Sequence, residues 1–330
     1  MLILAKAAMA MMLGFIIAIV TGLILIPFLK RHRVKQKVSL TVGERHLAKD
    51  GTPTMGGFIF IIPAIITTIL LFLRGSVEMN HNLIIVIFVF ISYAILGFAD
   101  DFAKMKMKNN KGLSIPFKLV IQTFIALIFF YIFMKNGGEP TLAITSLGIK
   151  IPMGWAFGFL ILFLLVGSSN AVNITDGLDG LAGGLSVIAF LAFGLITWNT
   201  GWMEGYESVA IFCFVLVGSL LGFLVFNTHP AKVFMGDVGS MALGSALATI
   251  AIITRHELSL ALVGGVFVVE TLSSLIQIIS IRKFKKKIFK MAPLHHHFEQ
   301  LGWKERDIVK LFYVVGLILA MAAITYGVWI

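Results

Sequence analysis

Ten stretches of about 20 apolar residues dominate this chain, and each is long enough for a helix to cross roughly 30 Å of hydrocarbon. They fall near 7–29, 55–73, 83–99, 119–134, 152–169, 181–199, 207–226, 239–254, 260–281 and 308–330. Their hydrophobicity is continuous rather than alternating in short pieces. That favours helices, which satisfy every backbone polar group internally, over the strands of a membrane barrel. With 58% hydrophobic and 13% charged residues and a mean hydropathy of +0.98, the chain lies outside the soluble range. The expected fold is an all-α, polytopic membrane bundle of ten transmembrane helices. It forms a single domain over 1–330 whose polar chemistry sits in the connections 30–54, 100–118, 170–180, 227–238 and 282–307.

The basic residues orient this bundle. Those five connections carry 21 of the 27 Lys and Arg residues, whereas the opposite loops and both tails carry 5. By the positive-inside rule the first set is cytoplasmic and both termini face outward. Trp155, Trp198, Trp202 and Trp329 fall at the expected outer ends, as interfacial anchors do. The net charge of +11 is therefore mostly topology, with some left for lipid headgroups or an anionic substrate, and needs no nucleic acid.

Several function classes drop out. The one cysteine, Cys213, lies inside an apolar stretch, so neither a disulfide framework nor a Cys-based metal site is available. No Gly-Lys dipeptide occurs, which removes a Walker A loop. The first apolar stretch is followed by the basic KRHRVKQK, the reverse of a secretory signal, and is expected to stay attached. There is no internal repeat, low-complexity tract or room for a soluble domain.

The acids are the positive clue. All seven aspartates lie on the basic side, while the opposite loops contain only glutamates. Short carboxylates gathered at one membrane face suit a hard divalent cation, and Mg²⁺ typically takes one or two carboxylates plus phosphate oxygens. In GFADDFAKMKMK, residues 97–108, an apolar run ends on Asp100 and Asp101. A continuing helix sets Asp100, Lys104 and Lys108 on one face, which a solvated ion-pair ladder would also explain. Asp101 has no such partner, and adjacent like charges favour a shared cation.

Other clusters carry the same double reading. NAVNITDGLDGL, residues 170–181, spaces Asn173, Asp176 and Asp179 by threes on roughly one helical face, although such residues also cap helices and the glycines weaken a helix. FNTHPAKVFMGDVGS, residues 226–240, sets Asp237 between glycines before an apolar stretch: a turn and cap, or an acid among backbone N–H groups that also suit phosphate. Phe234 is a packing residue or a ring for a nucleobase. MAPLHHHFEQLGWKE, residues 291–305, has three consecutive histidines whose spacing does not match a zinc helix and suits phosphate better. AKDGTPTMGG, residues 48–57, is a connector that also offers Lys49 and Thr54 to an oxyanion. Glu270 and Gln277, two turns apart in an apolar stretch, are functional candidates or an interhelical hydrogen bond.

Taken together, NAVNITDGLDGL, the DDFAK segment with Lys118 beyond it, VFMGDVGS and PLHHHFEQLGWKE resemble the phospho-N-acetylmuramoyl-pentapeptide transferases. These belong to the polyprenyl-phosphate N-acetylhexosamine-1-phosphate transferase superfamily. The resemblance covers essentially the whole chain, including ten spans with both termini outside. It implies transfer of phospho-N-acetylmuramoyl-pentapeptide from the UDP-linked precursor to undecaprenyl phosphate at the cytoplasmic face of a bacterial plasma membrane. The products are lipid I and UMP, made for peptidoglycan synthesis. It further implies Mg²⁺ at Asp237, catalytic roles for Asp100, Asp101, Asp237, His295 and Lys118, and a homodimer. Substrate binding is implied for Lys49, Thr54, Lys104, Asn173, Asp176, Asp179, Asn227, Phe234, Gln277, His296 and His297.

The chemistry agrees with where the charges lie. A nucleotide stays in water and a lipid phosphate stays in the headgroup layer, so they meet only at the rim where the aspartates cluster. Asp100 is expected to take the proton of undecaprenyl phosphate, with a covalent phospho-aspartate as the other route. A transferase for another UDP-sugar, an intramembrane prenyltransferase and a transporter with polar midplane groups are the competing functions.

Overall fold

The computed structural model describes residues 3–32, 34, 51–106, 112–144, 149–199 and 206–329. Lys49, Asp50, Lys108 and Trp202 lie outside them. Among the described residues twelve α-helices follow one another: α1 (Ile3–Arg31), α2 (Phe58–Leu73), α3 (His81–Lys106), α4 (Ile115–Lys135), α5 (Phe157–Thr175), α6 (Leu181–Asn199), α7 (Tyr206–Asn227), α8 (Asp237–Ile253), α9 (Glu257–Val263), α10 (Gly265–Phe284), α11 (Leu294–Gln300) and α12 (Glu305–Trp329). Between α4 and α5 an antiparallel hairpin, β1 (Thr141–Ile144) and β2 (Ile149–Pro152), pairs Thr141 with Pro152 and Leu142 with Ile151.

Eight of these helices are long and apolar enough to cross a membrane. Two shorter apolar helices, α2 and α8, fall on the remaining expected stretches. Their outward faces invert the soluble pattern, with Ile24, Phe159 and Phe163 each about 70% exposed or more. Water would penalise such a surface, and lipid does not. The expected ninth stretch is one exception to a continuous helix, because α9 and α10 are separate helices that meet at Gly264.

Helices α7 and α8 form the interior. Helix α7 packs on α1 and α6, and α8 packs on α3 and α5. The sequence of α8, DVGSMALGSALATIAII, is rich in Gly, Ala and Ser, which permits close backbone approach where apolar lipid offers no hydrophobic drive for association. Its buried hydroxyls bond backwards along the helix: Ser245 Oγ donates to Ala242 O at 3.0 Å and Thr249 Oγ1 to Ser245 O at 2.8 Å. A β-carbon at Gly244 would collide with Ser168 O of α5, and one at Gly97 would collide with Asp237 O at the start of α8.

That second contact sets how the ends of the bundle align. The start of α2, the end of α3, the end of α5 and the start of α8 all meet at one end. Loop 53–57 lies against loop 233–236 through Phe234 N donating to Pro53 O at 2.8 Å, Gly56 N to Phe234 O at 2.8 Å and Gly57 N to Met235 O at 2.9 Å. Overpacking a close contact costs about 1–3 kcal/mol. Gly97→Val is therefore expected to lower the melting temperature in detergent, because the collision is with backbone. Gly167→Ala, where a β-carbon meets nothing within 4 Å, should leave it unchanged or raised.

Candidate functional site

The last turns of α3 carry Asp100, Asp101 and Lys104, and the first residue of α8 is Asp237. Asp100 and Asp101 are buried, and Lys104 Nζ lies 2.8 Å from both Asp100 Oδ2 and Asp237 Oδ2 and 3.9 Å from Asp101 Oδ1. Lys118, from the first turns of α4, reaches Asp100 Oδ1 at 3.3 Å, where Leu113 N also donates at 2.8 Å. Asn173, on the last turn of α5, donates through Nδ2 to Asp237 Oδ1 and to Ser240 Oγ, both at 2.8 Å. Four segments of the chain thus place three carboxylates, two ammonium groups and an amide together.

Asp101 explains why an apolar helix ends on paired acids. Its own helix dipole disfavours it, but its Oδ2 accepts from Val238 N of α8 at 3.2 Å. It therefore caps the N-terminus of a neighbouring helix, where backbone N–H groups are unpaired and negative charge is favoured. Helix α8 has no side-chain cap from Gly236, whose φ is +74°. A β-carbon there would press on Asp101 Oδ2 and Thr54 Oγ1. Glycine thus lets the loop close over the acid.

The cluster fits a hard cation. Asp101 Oδ1 and Thr54 Oγ1 are buried and accept no hydrogen bond. A buried carboxylate oxygen without a donor is costly. Oxygen donors from carboxylates and a hydroxyl, beside like charges that repel, are a donor set suited to Mg²⁺. Asp237 holds Lys104 on one oxygen and Asn173 on the other, so the ammonium already occupies a counter-charge position.

A second polar group lies on the adjoining loops. Helix α5 ends at Thr175, so Asn173, Asp176 and Asp179 do not share one helix face: Asp176 caps α5 and Asp179 sits in the following turn. Asp179 Oδ2 accepts from Ala231 N at 3.1 Å and lies 3.0 Å from His229 Nδ1, which is 3.3 Å from Glu305 Oε2. Glu305 Oε1 accepts from Asp179 N at 2.7 Å. Ligand atoms of Asp179, His229 and Glu305 lie within 4.8 Å of one another, a spacing a cation also accepts, but N–H groups already satisfy them. Buried Asn227 takes Gly180 N on Oδ1 at 3.1 Å and gives Nδ2 to Val233 O at 2.9 Å, which ties the loops together. Half-buried Phe234 stands on the same loop.

The histidines open α11. His295 is buried, with Nδ1 3.0 Å from Glu270 Oε2 on α10. His296 Nδ1 lies 2.7 Å from Glu299 Oε2, and His297 Nδ1 accepts from Lys290 N at 3.1 Å. Gln277 clamps the chain between α10 and α11: its Oε1 accepts from Ile288 N and Phe289 N, both at 3.0 Å, and its Nε2 donates to Phe289 O at 2.9 Å. Asp100, Asp101, Lys104, Lys118, Asn173, Asp237 and Thr54 therefore form one cluster, while Asp179 and Asn227 form a second beside it. Gln277, His296 and His297 are engaged within the α10–α11 connection.

The sequence profile of glycosyl transferase family 4 matches residues 83–255, which carry both aspartate clusters except Thr54 and Glu305. A phospho-N-acetylmuramoyl-pentapeptide-transferase of Geobacillus sp. (strain WCH70) is 45% identical over 322 residues, spanning 98% of each chain. The protein of that name from Bacillus subtilis (strain 168) is 46% identical over 319 residues, 97% of each chain. The chain belongs to the phospho-N-acetylmuramoyl-pentapeptide-transferase family.

As a member of this family it is a bacterial integral membrane transferase. Beside the acidic cluster, this transferase has a largely apolar groove of about 400 Å³ lined by α5, α8, α9 and α10. Val172 of the groove directly precedes Asn173. His229, Glu305 and Ser240 join these clusters without having been picked out from the sequence. Each sits within an identified motif segment, so the signal was position in the motif rather than residue type. Removing one partner of a buried ion pair typically costs about 3–5 kcal/mol. Lys104→Met should therefore markedly lower the melting temperature, and adding Asp237→Asn should recover part of the loss. Thermal unfolding of the single and double variants measures the coupling.

Proposed function

We propose that this chain transfers phospho-N-acetylmuramoyl-pentapeptide from its UDP-linked form to undecaprenyl phosphate, releasing UMP and leaving lipid I. The observation carrying this reading is the convergence of Asp100, Asp101, Asp237, Lys104, Lys118 and Asn173 at one end of an apolar bundle, next to an apolar groove. A water-soluble diphosphate and a lipid phosphate can meet at such a rim. In this reading all ten apolar stretches cross the membrane with both termini outward, and the excess of Lys and Arg in the connections at that end favours the cytoplasmic face for it. The groove suits the polyprenyl chain.

Attack of one phosphate on another brings like charges together, so the barrier falls where fixed positive charge awaits them. Lys104 and Lys118 supply that charge, held in place by Asp100. Mg²⁺, held by Asp237 with Asp101 and Thr54 oxygens at hand, would add Lewis-acid neutralisation of the transferring diphosphate. Asp100 already faces two lysines and a backbone N–H, which makes it a fixed anion and a weak base. Asp100 Oδ2 and Asp101 Oδ1 both lack a hydrogen-bond donor, but Asp101 stands 3.9 Å from Lys104 Nζ rather than 2.8 Å, which makes it the better acceptor for the lipid phosphate proton. Asp176, Asp179, Phe234, Lys49, His296 and His297 bind and orient the uridine and sugar diphosphate, and His295 acts on the transferring phosphates. Direct displacement needs no phospho-enzyme, and the enzyme acts as a homodimer.

Purified protein given Mg²⁺, UDP-N-acetylmuramoyl-pentapeptide and polyprenyl phosphate is expected to release UMP. Asp237→Ala should abolish release while the helical circular dichroism persists. UMP release from another UDP-sugar instead would favour a sister transferase, and absence of any release would sink the reading. With the nucleotide substrate alone, mass spectrometry should find no phosphorylated aspartate. A trapped adduct would establish the two-step route.

A further inference from the structure

Glu270 is the one fully buried carboxylate of α10, and the reaction above gives it no work. Both of its oxygens are spent on one residue. Oε1 accepts from His295 N at 3.1 Å, and Oε2 lies 3.0 Å from His295 Nδ1. An ionisable group in an apolar membrane helix is expensive and persists when it is paired for a purpose. Between an ionised carboxylate and a neutral imidazole, the hydrogen of such a contact would sit on Nδ1. That leaves Nε2 of the neutral ring with its lone pair.

The free edge points at the site. A β-carbon on Gly177 would collide with His295 Nε2, so the ring edge lies directly over this glycine. Among the described residues Nε2 has no hydrogen-bond partner. Gly177 follows Asn173 by one turn of chain, and Asn173 holds Asp237. The imidazole therefore opens onto the loop that joins the two aspartate clusters, and only glycine leaves space for it.

We propose that Glu270 is a positioning residue for the transfer reaction: it locks His295 in the Nδ1–H tautomer and presents Nε2 as an acceptor toward the phosphate-handling loop. The assignment rests on the function proposed above only for what Nε2 then does, namely accept a hydrogen bond or proton from the substrate phosphates. Its carboxylate would also stabilise the imidazolium if a proton arrives. A purely structural Glu270 would hold α11 in place but would not care which ring nitrogen carries the hydrogen.

The test uses the full chain in lipid nanodiscs with ¹⁵N-labelled histidine, the His295 signal being assigned by its loss in His295→Asn. Wild type is expected to show the Nδ1–H tautomer at His295, and Glu270→Gln to lose that preference. An Nε2–H tautomer in wild type would overturn the proposal by itself, whatever the variants do. In the UMP-release assay, Glu270→Gln should lower kcat by about 10²–10⁴-fold, as wrong-tautomer imidazoles do, with KM for the UDP-linked substrate within about threefold. Glu270→Asp should restore part of kcat. Turnover of Glu270→Gln within about threefold of wild type, or a change confined to KM, would refute the positioning role. If wild type shows the tautomer but releases no UMP, the reaction assignment fails and the Glu270–His295 lock stands.

Discussion

Carboxylates cannot stay buried at the end of an apolar bundle without counter-charge, and this fold meets that requirement with an ammonium shared between helices and a second one, Lys118, beside Asp100. Lys104 sits between Asp100 on its own helix and Asp237, 133 residues away in the chain. The sharing is possible because α3 and α8 touch where Gly97 meets the Asp237 backbone. From that contact follow the capping of α8 by Asp101 and the approach of Asn173. The docking of loop 53–57 brings in Thr54. Weakening the approach of the two helices would separate the charges that justify one another's burial.

The same economy separates hydrocarbon from chemistry. Large side chains face outward along α1, α5 and α10, where lipid accepts them, while small residues line α8, where backbones must nearly touch. Polar side chains concentrate where helices start and stop, because free N–H groups there are a ready environment for anions. An apolar groove reaches this layer beside Asn173. A greasy acceptor and a charged donor can thus be served by one site, each from its own solvent.

Some of the site could be read from residue order alone. The clustering of every aspartate on the basic side pointed to phosphate chemistry with a divalent ion, and Asp100 with Lys104 was visible as an i, i+4 pair. The spacing of Asn173, Asp176 and Asp179 suggested one helical face, but α5 ends at Thr175 and hands the two aspartates to different tasks. Glu270 and Gln277 looked equivalent by period. Their partners, His295 for one and the Ile288–Phe289 backbone for the other, depend on a chain reversal that periodicity does not encode. His229 was passed over because a single histidine before proline carries no pattern of its own, and only its place in the 226–240 motif marked it.

Apolar length, the asymmetry of basic residues and the motif wording were enough to establish a helical membrane chain of this transferase family, since hydrocarbon thickness and backbone hydrogen bonding leave few alternatives. Tertiary structure decided which carboxylate faces which cation, which acid caps a foreign helix and which histidine edge is free. Those outcomes depend on distances of about 3 Å between segments from 25 to 137 residues apart. Local sequence carries no term for such distances; they arise only when whole helices pack.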